Sequence, residues 1–322
     1  MVEANNSKPM LELHRLHRFF GETRAVQDVS FQVFKGEVFG YIGPNGAGKT
    51  TSMRILATLD VPTFGDARVD GFSVVNDPDR VRTRLGFMPD YFGTYPNVNC
   101  YEYLDFFARA YGLTGRERHR AVRSVMGFTN LEGLANKPIS GLSKGMKQRL
   151  CLGRSLVHDP AALVLDEPAA GLDPRARIEL RQMIRQLAAD GKAVLVSSHI
   201  LTELAEICDR VAIIEQGQLL AIGSVDEIQS RHTSDGQQQL TLVRVRVLSR
   251  SAELGSWLEN MGDARDITVD GQLVQFRHRG DRSDEVRILR EMIAADFEVA
   301  EYGQQSQSLE DVFMQVTEGL VQ

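Results

Sequence analysis

No apolar run in this 322-residue chain approaches the roughly 18 residues that would suggest a membrane-crossing helix, so any membrane role is expected to come through a partner. Cysteine is scarce. Cys100, Cys151 and Cys208 are odd in number, widely spaced and in no metal-ligand pattern, which argues against a disulfide framework and fits a reducing compartment. Basic residues are in the minority, 37 Lys and Arg against 43 Asp and Glu for a net charge of −6, so the basic excess of a nucleic-acid binder is missing and no nucleic acid is expected as partner. Met1 to Pro9 is polar and holds no apolar secretion core, and the expected location is cytoplasmic. What remains, 43% hydrophobic and 25% charged, is an ordinary globular composition in a chain long enough for two domains.

The most informative stretch is Gly43-Pro44-Asn45-Gly46-Ala47-Gly48-Lys49-Thr50-Thr51, a full match to G-x-x-x-x-G-K-[ST]. Val38–Ile42 before it is apolar and of strand length, and from Ser52 to Leu59 apolar residues recur at helical spacing. Strand, glycine loop and helix in that order make a phosphate cradle. The glycines let backbone N–H groups turn toward an anion, and the helix adds the positive end of its dipole. Lys49 is placed to reach the β- and γ-phosphates of a nucleotide, and the Thr50 hydroxyl to ligate Mg²⁺.

Upstream, Leu11–His14 and Val29–Val33 alternate as strands of a small antiparallel sheet, with Phe19-Phe20-Gly21 between them. Such rings are usually core, but Phe20 is also placed to stack on a nucleotide base, a contact worth on the order of 1–3 kcal/mol. Downstream, turn signals at Pro62–Asp66 and Asp70-Gly71 bracket one short strand, and Leu85–Met88 forms another that ends at Pro89-Asp90. From Val98 to about Gly133 the pattern is helical, an insertion within an α/β domain. Ile139 to Arg149 reads as a polar turn leading into a helix from Leu150 to Val157; Ser143 and Gly145 there make either a second anion-binding arrangement or a plain helix cap. The apolar strand Ala161–Leu165 ends in Asp166 and Glu167, a carboxylate pair that is costly at a buried strand end unless it binds a cation or works catalytically. Gly171–Pro174 turns into a helix over Arg175–Ala189, and the strand Ala193–Val196 ends in Ser197-Ser198-His199, on the edge where ligands of parallel sheets sit.

Val211–Glu215 and Leu219–Ile222 read as closing strands, Val225 to His232 as a short helix and His232 to Gln239 as a linker. Beyond it, strands at Leu240–Val247, Ile267–Val269, Leu273–Phe276 and Phe297–Tyr302 alternate with helices at Ala252–Met261 and Asp284–Ala294. That is the β-α-β-β-α-β order of a ferredoxin-like domain, closed by a helix from Ser308 to Thr317, with no catalytic constellation in it.

Taken together, the glycine loop, Leu142-Ser143-Lys144-Gly145-Met146, Leu165-Asp166-Glu167-Pro168, Gly171-Leu172-Asp173 and His199 resemble, in order, the motifs of the ATP-binding subunit of an ABC transporter. The resemblance covers about residues 10–232. It implies an α/β P-loop ABC ATPase domain over residues 1–232, made of a RecA-like core, an antiparallel β subdomain and a helical subdomain at about 91–157; a small α+β accessory domain at 233–322 follows. It also implies a head-to-tail dimer, of like or unlike ATPase subunits, in which each ATP lies between one glycine loop and the opposite subunit's signature loop. Under that resemblance Lys49, Thr50 and Asp166 hold phosphates and Mg²⁺, Glu167 is the general base or water-positioning group, and His199 contacts the γ-phosphate. Asp173 crosses the seam, and Ser143 with Gly145 closes on the partner's ATP.

Two positions depart from the family pattern. The signature reads LSKGM rather than LSGGQ, and Asp90 stands where glutamine is usual; an aspartate still offers an oxygen toward Mg²⁺ or water, but adds negative charge near the γ-phosphate. The carboxy-terminal domain is similar to the extension of ABC ATPases that serve exporters with a separate permease chain, and is expected to stabilise or regulate the dimer. The resulting expectation is an ATPase, peripheral on the inner face of the membrane, that powers export of drugs, polysaccharide, lipid or ions. Relatives acting in DNA repair or translation are an alternative; they carry a long coiled-coil insertion or two cassettes, whereas this chain has one glycine loop and one signature. A third possibility is an ATP-binding regulator with little turnover, suggested by Asp90 and opposed by Glu167 and His199.

Overall fold

A computed structural model describes residues 8–304 except 92, 94, 96, 201–203, 205, 226, 229–239 and 281. The chain divides into two compact units, Met1–Val225 and Asp226–Gln322.

In the first unit, β1 (Leu11–Phe20), β2 (Thr23–Val33), β4 (Phe64–Val69) and β5 (Phe72–Ser73) make an antiparallel sheet of order β2-β1-β4-β5. β1 is longer than the alternation in Leu11–His14 suggests. Its pairing with β2 shifts register after Leu13, where Arg15 takes a left-handed φ of 46°, and such an irregularity breaks the period-two pattern while the ladder continues. Phe19 and Phe20 are therefore the last residues of a strand, not part of a connecting loop.

The second sheet has six strands in the order β10-β9-β3-β8-β7-β6, formed by Val38–Ile42 (β3), Leu85–Met88 (β6), Ala162–Leu165 (β7), Ala193–Ser198 (β8), Arg210–Glu215 (β9) and Gln218–Ser224 (β10). All neighbours are parallel except β10, which returns antiparallel at the edge. β3, β7 and β8 are buried along their whole length, which explains their near-continuous apolar sequences. One core joins the two sheets: Leu11, Val33 and Val69 pack with Phe39, Tyr41, Val164 and Leu195 around Met53 and Leu56 of α1 (Lys49–Leu56).

The helices α3 (Cys100–Ala110), α4 (Gly115–Phe128) and α5 (Lys144–Leu156) occupy the expected insertion, and a short α2 (Pro78–Arg82) precedes β6. Asn99 starts α3 with a capping box, its side chain accepting the Glu102 N–H while the Glu102 carboxylate accepts the Asn99 N–H. α5 begins at Lys144, not at Leu150: Lys144–Arg149 carry little of the apolar pattern by which a helix is recognised, yet they wind into its first turns behind the Ser143 cap. α6 (Pro174–Ala189) lies between β7 and β8 in the chain. Among the described residues, no helix is long and apolar enough to cross a membrane.

In the second unit, β11 (Leu240–Val247), α7 (Ser251–Met261), β12 (Ala264–Asp270), β13 (Leu273–Arg279), α8 (Arg282–Ala294) and β14 (Val299–Gln304) follow the anticipated order. The antiparallel sheet runs β12-β13-β11-β14, so the first strand lies between the third and the fourth, as a split β-α-β arrangement requires. Val243, Val245, Phe276, Leu258 and Met292 form its core. The helix expected at Ser308–Thr317, the linker and all but a few residues of the helix expected at Val225–His232 lie outside the described residues.

Candidate active site

Because β3, β8, β7 and β6 are parallel neighbours, the residues that follow them emerge on one edge of the sheet: Gly43 after β3, His199 after β8, Asp166 and Glu167 after β7, Asp90 two residues beyond β6. The site is assembled at that edge.

The glycine loop is held by backbone too close for side chains. A Cβ on Gly43 would sit 2.2 Å from the Ile214 carbonyl oxygen of β9, and one on Gly48 would sit 2.3 Å from that of Ala25. Gly48 is also the N-cap of α1, with φ 102°. Gly48→Ala is therefore expected to destabilise the first unit by at least about 2 kcal/mol, combining left-handed strain with the clash. Calorimetry should show this as a melting temperature lower by at least about 4 °C.

Lys49, only 5% exposed, donates from Nζ to the carbonyl oxygens of Gly43 at 2.6 Å and Pro44 at 3.2 Å, and faces Glu167 Oε1 at 3.5 Å. Burial pushes its amine pKa down, while the charges of Glu167 and Asp166 hold it up. Ala47 is tied to the sheet by its carbonyl, which accepts the Gly217 N–H at 3.1 Å. Pro44, Asn45, Gly46 and Thr50 are exposed and Thr51 half-buried, so the loop presents its rim to solvent.

Asp166 is 1% exposed. Its Oδ1 accepts the Ser197 hydroxyl at 2.6 Å, and its carboxylate is also hydrogen-bonded to Thr50. Burial raises its pKa; the hydroxyl bonds from Ser197 and Thr50 oppose the rise, and the negative charges of Glu167 and Asp90 add to it. Asp90, exposed in the turn after β6, is thus within electrostatic reach of the same carboxylate.

Glu167 sits in the left-handed region with φ 48°, a conformation that costs a side chain with a Cβ on the order of 1–2 kcal/mol. Three partners hold it there. Its N–H donates to Ser197 Oγ at 2.9 Å, its Oε2 lies 2.9 Å from His199 Nδ1, and its Oε1 faces Lys49. Ser197 thereby positions both carboxylate residues, a role the sequence did not reveal. The only signal is the register that pairs Leu165 with Val196 and so brings the next residues, Asp166 and Ser197, side by side.

Ser143, Gly145 and Asp173 form a second group. Ser143 caps α5 by accepting the Met146 N–H at 3.3 Å, and Asp173 caps α6 by accepting the Ala176 N–H at 2.9 Å. The two N-terminal turns adjoin, Gly145 facing Ala176 and Lys144 lying over Gly171. Among the described residues no hydrogen bond or ion pair joins Ser143, Gly145 or Asp173 to the glycine loop. Phe20, at the end of β1, is 47% exposed, whereas Phe19 packs edge-on against His17 and Phe64.

Comparison with known proteins agrees with this geometry. The model of the ABC transporter family matches residues 26–170. The Nod factor export ATP-binding protein I of Ralstonia nicotianae is 36% identical over 222 residues, 69% of this chain and 69% of that protein. The linearmycin resistance ATP-binding protein of Bacillus subtilis is 32% identical over 260 residues, 81% of this chain and 82% of that protein. A solved structure of the ATP binding subunit of an ABC transporter superposes with a TM-score of 0.64 at 30% identity, covering 71% of this chain and 95% of that one. The chain belongs to the ATP-binding subunits of ABC transporters, which are ATPases.

Proposed function

We propose that this subunit hydrolyses ATP at the sheet edge described above and drives export through a separate permease chain. The observation that carries the proposal is the convergence of Lys49, Glu167 and His199: a buried amine in the phosphate loop, a carboxylate held 3.5 Å from it, and an imidazole 2.9 Å from that carboxylate. Such a set binds phosphates with Lys49, polarises a water with Glu167 and leaves His199 to meet the γ-phosphate. Thr50 and Asp166 supply the hard oxygen donors that suit Mg²⁺, and a cation there would favour the ionised Asp166, whose pKa is raised by burial first and by the charges of Glu167 and Asp90 second. The ion would neutralise charge on the phosphates.

Ser143, Gly145 and Asp173 stand apart from the subunit's own loop, which supports a head-to-tail dimer in which α5 of one copy closes on the nucleotide of the other. Phe20 would take the base. The permease would seat on the groove lined by Leu59, Phe87, Phe107, Tyr111, Arg82 and Arg154, an aromatic surface with two cations. Export is favoured by the relatives, named for Nod factor export and linearmycin resistance. Co-purification with a multispanning permease from membranes tests this reading. A chain that hydrolyses ATP yet never accompanies such a partner would overturn it.

Asp90 gives a second test. An added negative charge near the γ-phosphate opposes it by on the order of 1–2 kcal/mol at an effective dielectric near 20. Asp90→Gln should retain ATP binding and raise turnover severalfold. Unchanged steady-state rates in both the purified subunit and its assembled complex would show that Asp90 does not act on the site.

A further inference from the structure

One face of the Phe20 ring is covered. The guanidinium carbon of Arg18 lies 4.3 Å from the ring centroid. Arg18 is no loose surface side chain: its Nη2 is 2.8 Å from Asp60 Oδ1, in an ion pair whose side chains are 24% and 18% exposed. Asp60 is fixed in turn, the same Oδ1 accepting the Val61 N–H at 2.8 Å. Arg18 Nε is buried without a hydrogen-bond partner, a cost that the ring and Asp60 must offset. Asp60 follows α1, and α1 starts at Lys49. A continuous path thus runs from the glycine loop along α1 to Asp60, Arg18 and the aromatic ring.

We infer that Arg18, pinned by Asp60, is the positioning residue for the base-stacking ring, an inference that rests on the reading of Phe20 given above. A guanidinium on one face is attracted to the ring's electrons and closes that face to any other occupant, so a base can stack only on the opposite side. It also draws electron density from that open face, which suits an electron-rich purine. Because Asp60 is anchored just beyond α1, the ring is held at a fixed offset from the phosphate loop. The base and the phosphates are therefore met by one pre-set frame, which lowers the ordering cost of binding.

Isothermal titration of the full chain with ADP and, separately, with pyrophosphate tests this, because only ADP carries a base. Arg18→Met, which keeps the apolar stem, is expected to weaken ADP binding about fivefold and leave pyrophosphate binding unchanged. Asp60→Asn should act in the same direction with a smaller change, and Arg18→Lys should recover part of the loss. Phe20→Ala serves as the reference and should weaken ADP binding alone by about tenfold or more. If Phe20→Ala weakens ADP binding while Arg18→Met and Asp60→Asn do not, Arg18 has no positioning role. Equal losses for ADP and pyrophosphate in Arg18→Met would mean that the residue merely supports the loop. If Phe20→Ala leaves ADP binding unchanged, the stacking reading itself falls.

Discussion

Glu167→Gln is expected to lower steady-state phosphate release by about 10²–10⁴-fold while leaving ATP bound, the range a positioned general base contributes. The substitution keeps the shape of the side chain and the Ser197 bond to the backbone N–H of residue 167, so the turn after β7 should survive. What it removes is the negative charge that faces Lys49 and the oxygen's basicity toward a water. The amide also disturbs the pairing with His199 Nδ1, since an imidazole nitrogen that donates to a carboxylate at 2.9 Å meets either a weaker acceptor or a competing donor. Affinity should hold or tighten slightly, because a carboxylate beside the γ-phosphate repels it. Equal phosphate-release rates for wild type and Glu167→Gln would mean that the measured activity belongs to another site.

The second large effect is on binding. Lys49→Ala is expected to weaken ATP binding by roughly 30- to 1,000-fold, the cost of truncating one partner of a desolvated charge pair. The amine is 5% exposed and already held at the mouth of the loop by two carbonyl oxygens, so little ordering remains to be done when phosphates arrive. Alanine removes the amine that faces Glu167 Oε1 at 3.5 Å. A filter-binding or titration assay separates the two variants: Glu167→Gln keeps the nucleotide and loses turnover, while Lys49→Ala loses the nucleotide. If Lys49→Ala binds ATP as the wild type does, the phosphates do not lie in this loop.

The two variants touch residues whose legibility in the sequence differs. The loop, its strand and its helix could be read because each is contiguous: Val38–Ile42 is apolar, the glycines follow, and Lys49 opens the helix. The β-α-β-β-α-β order of the second unit was legible for the same reason, since Asp270-Gly271 marks its hairpin locally. The start of α5 was hidden because the residues after Ser143 are mostly polar and carry no apolar period. Ser197 reads in the sequence as a strand end without a role, because its bonds to Asp166 and Glu167 depend on which strand lies beside which. The Arg18–Asp60 pair is not legible in the sequence at all. Nothing in the spacing of a basic residue in β1 and an acidic residue beyond α1 reports that they meet, and charged residues of this kind more often face solvent.

At Glu167 a residue with a Cβ is held in a left-handed conformation beside the buried Asp166, by a bond from its N–H to Ser197 and by Lys49 and His199, whose work is chemical. Heat resistance and turnover therefore make opposite demands on this position. Selection for a hardier fold alone would favour residues at ease with positive φ, and would drift toward a subunit that grips its nucleotide but no longer spends it.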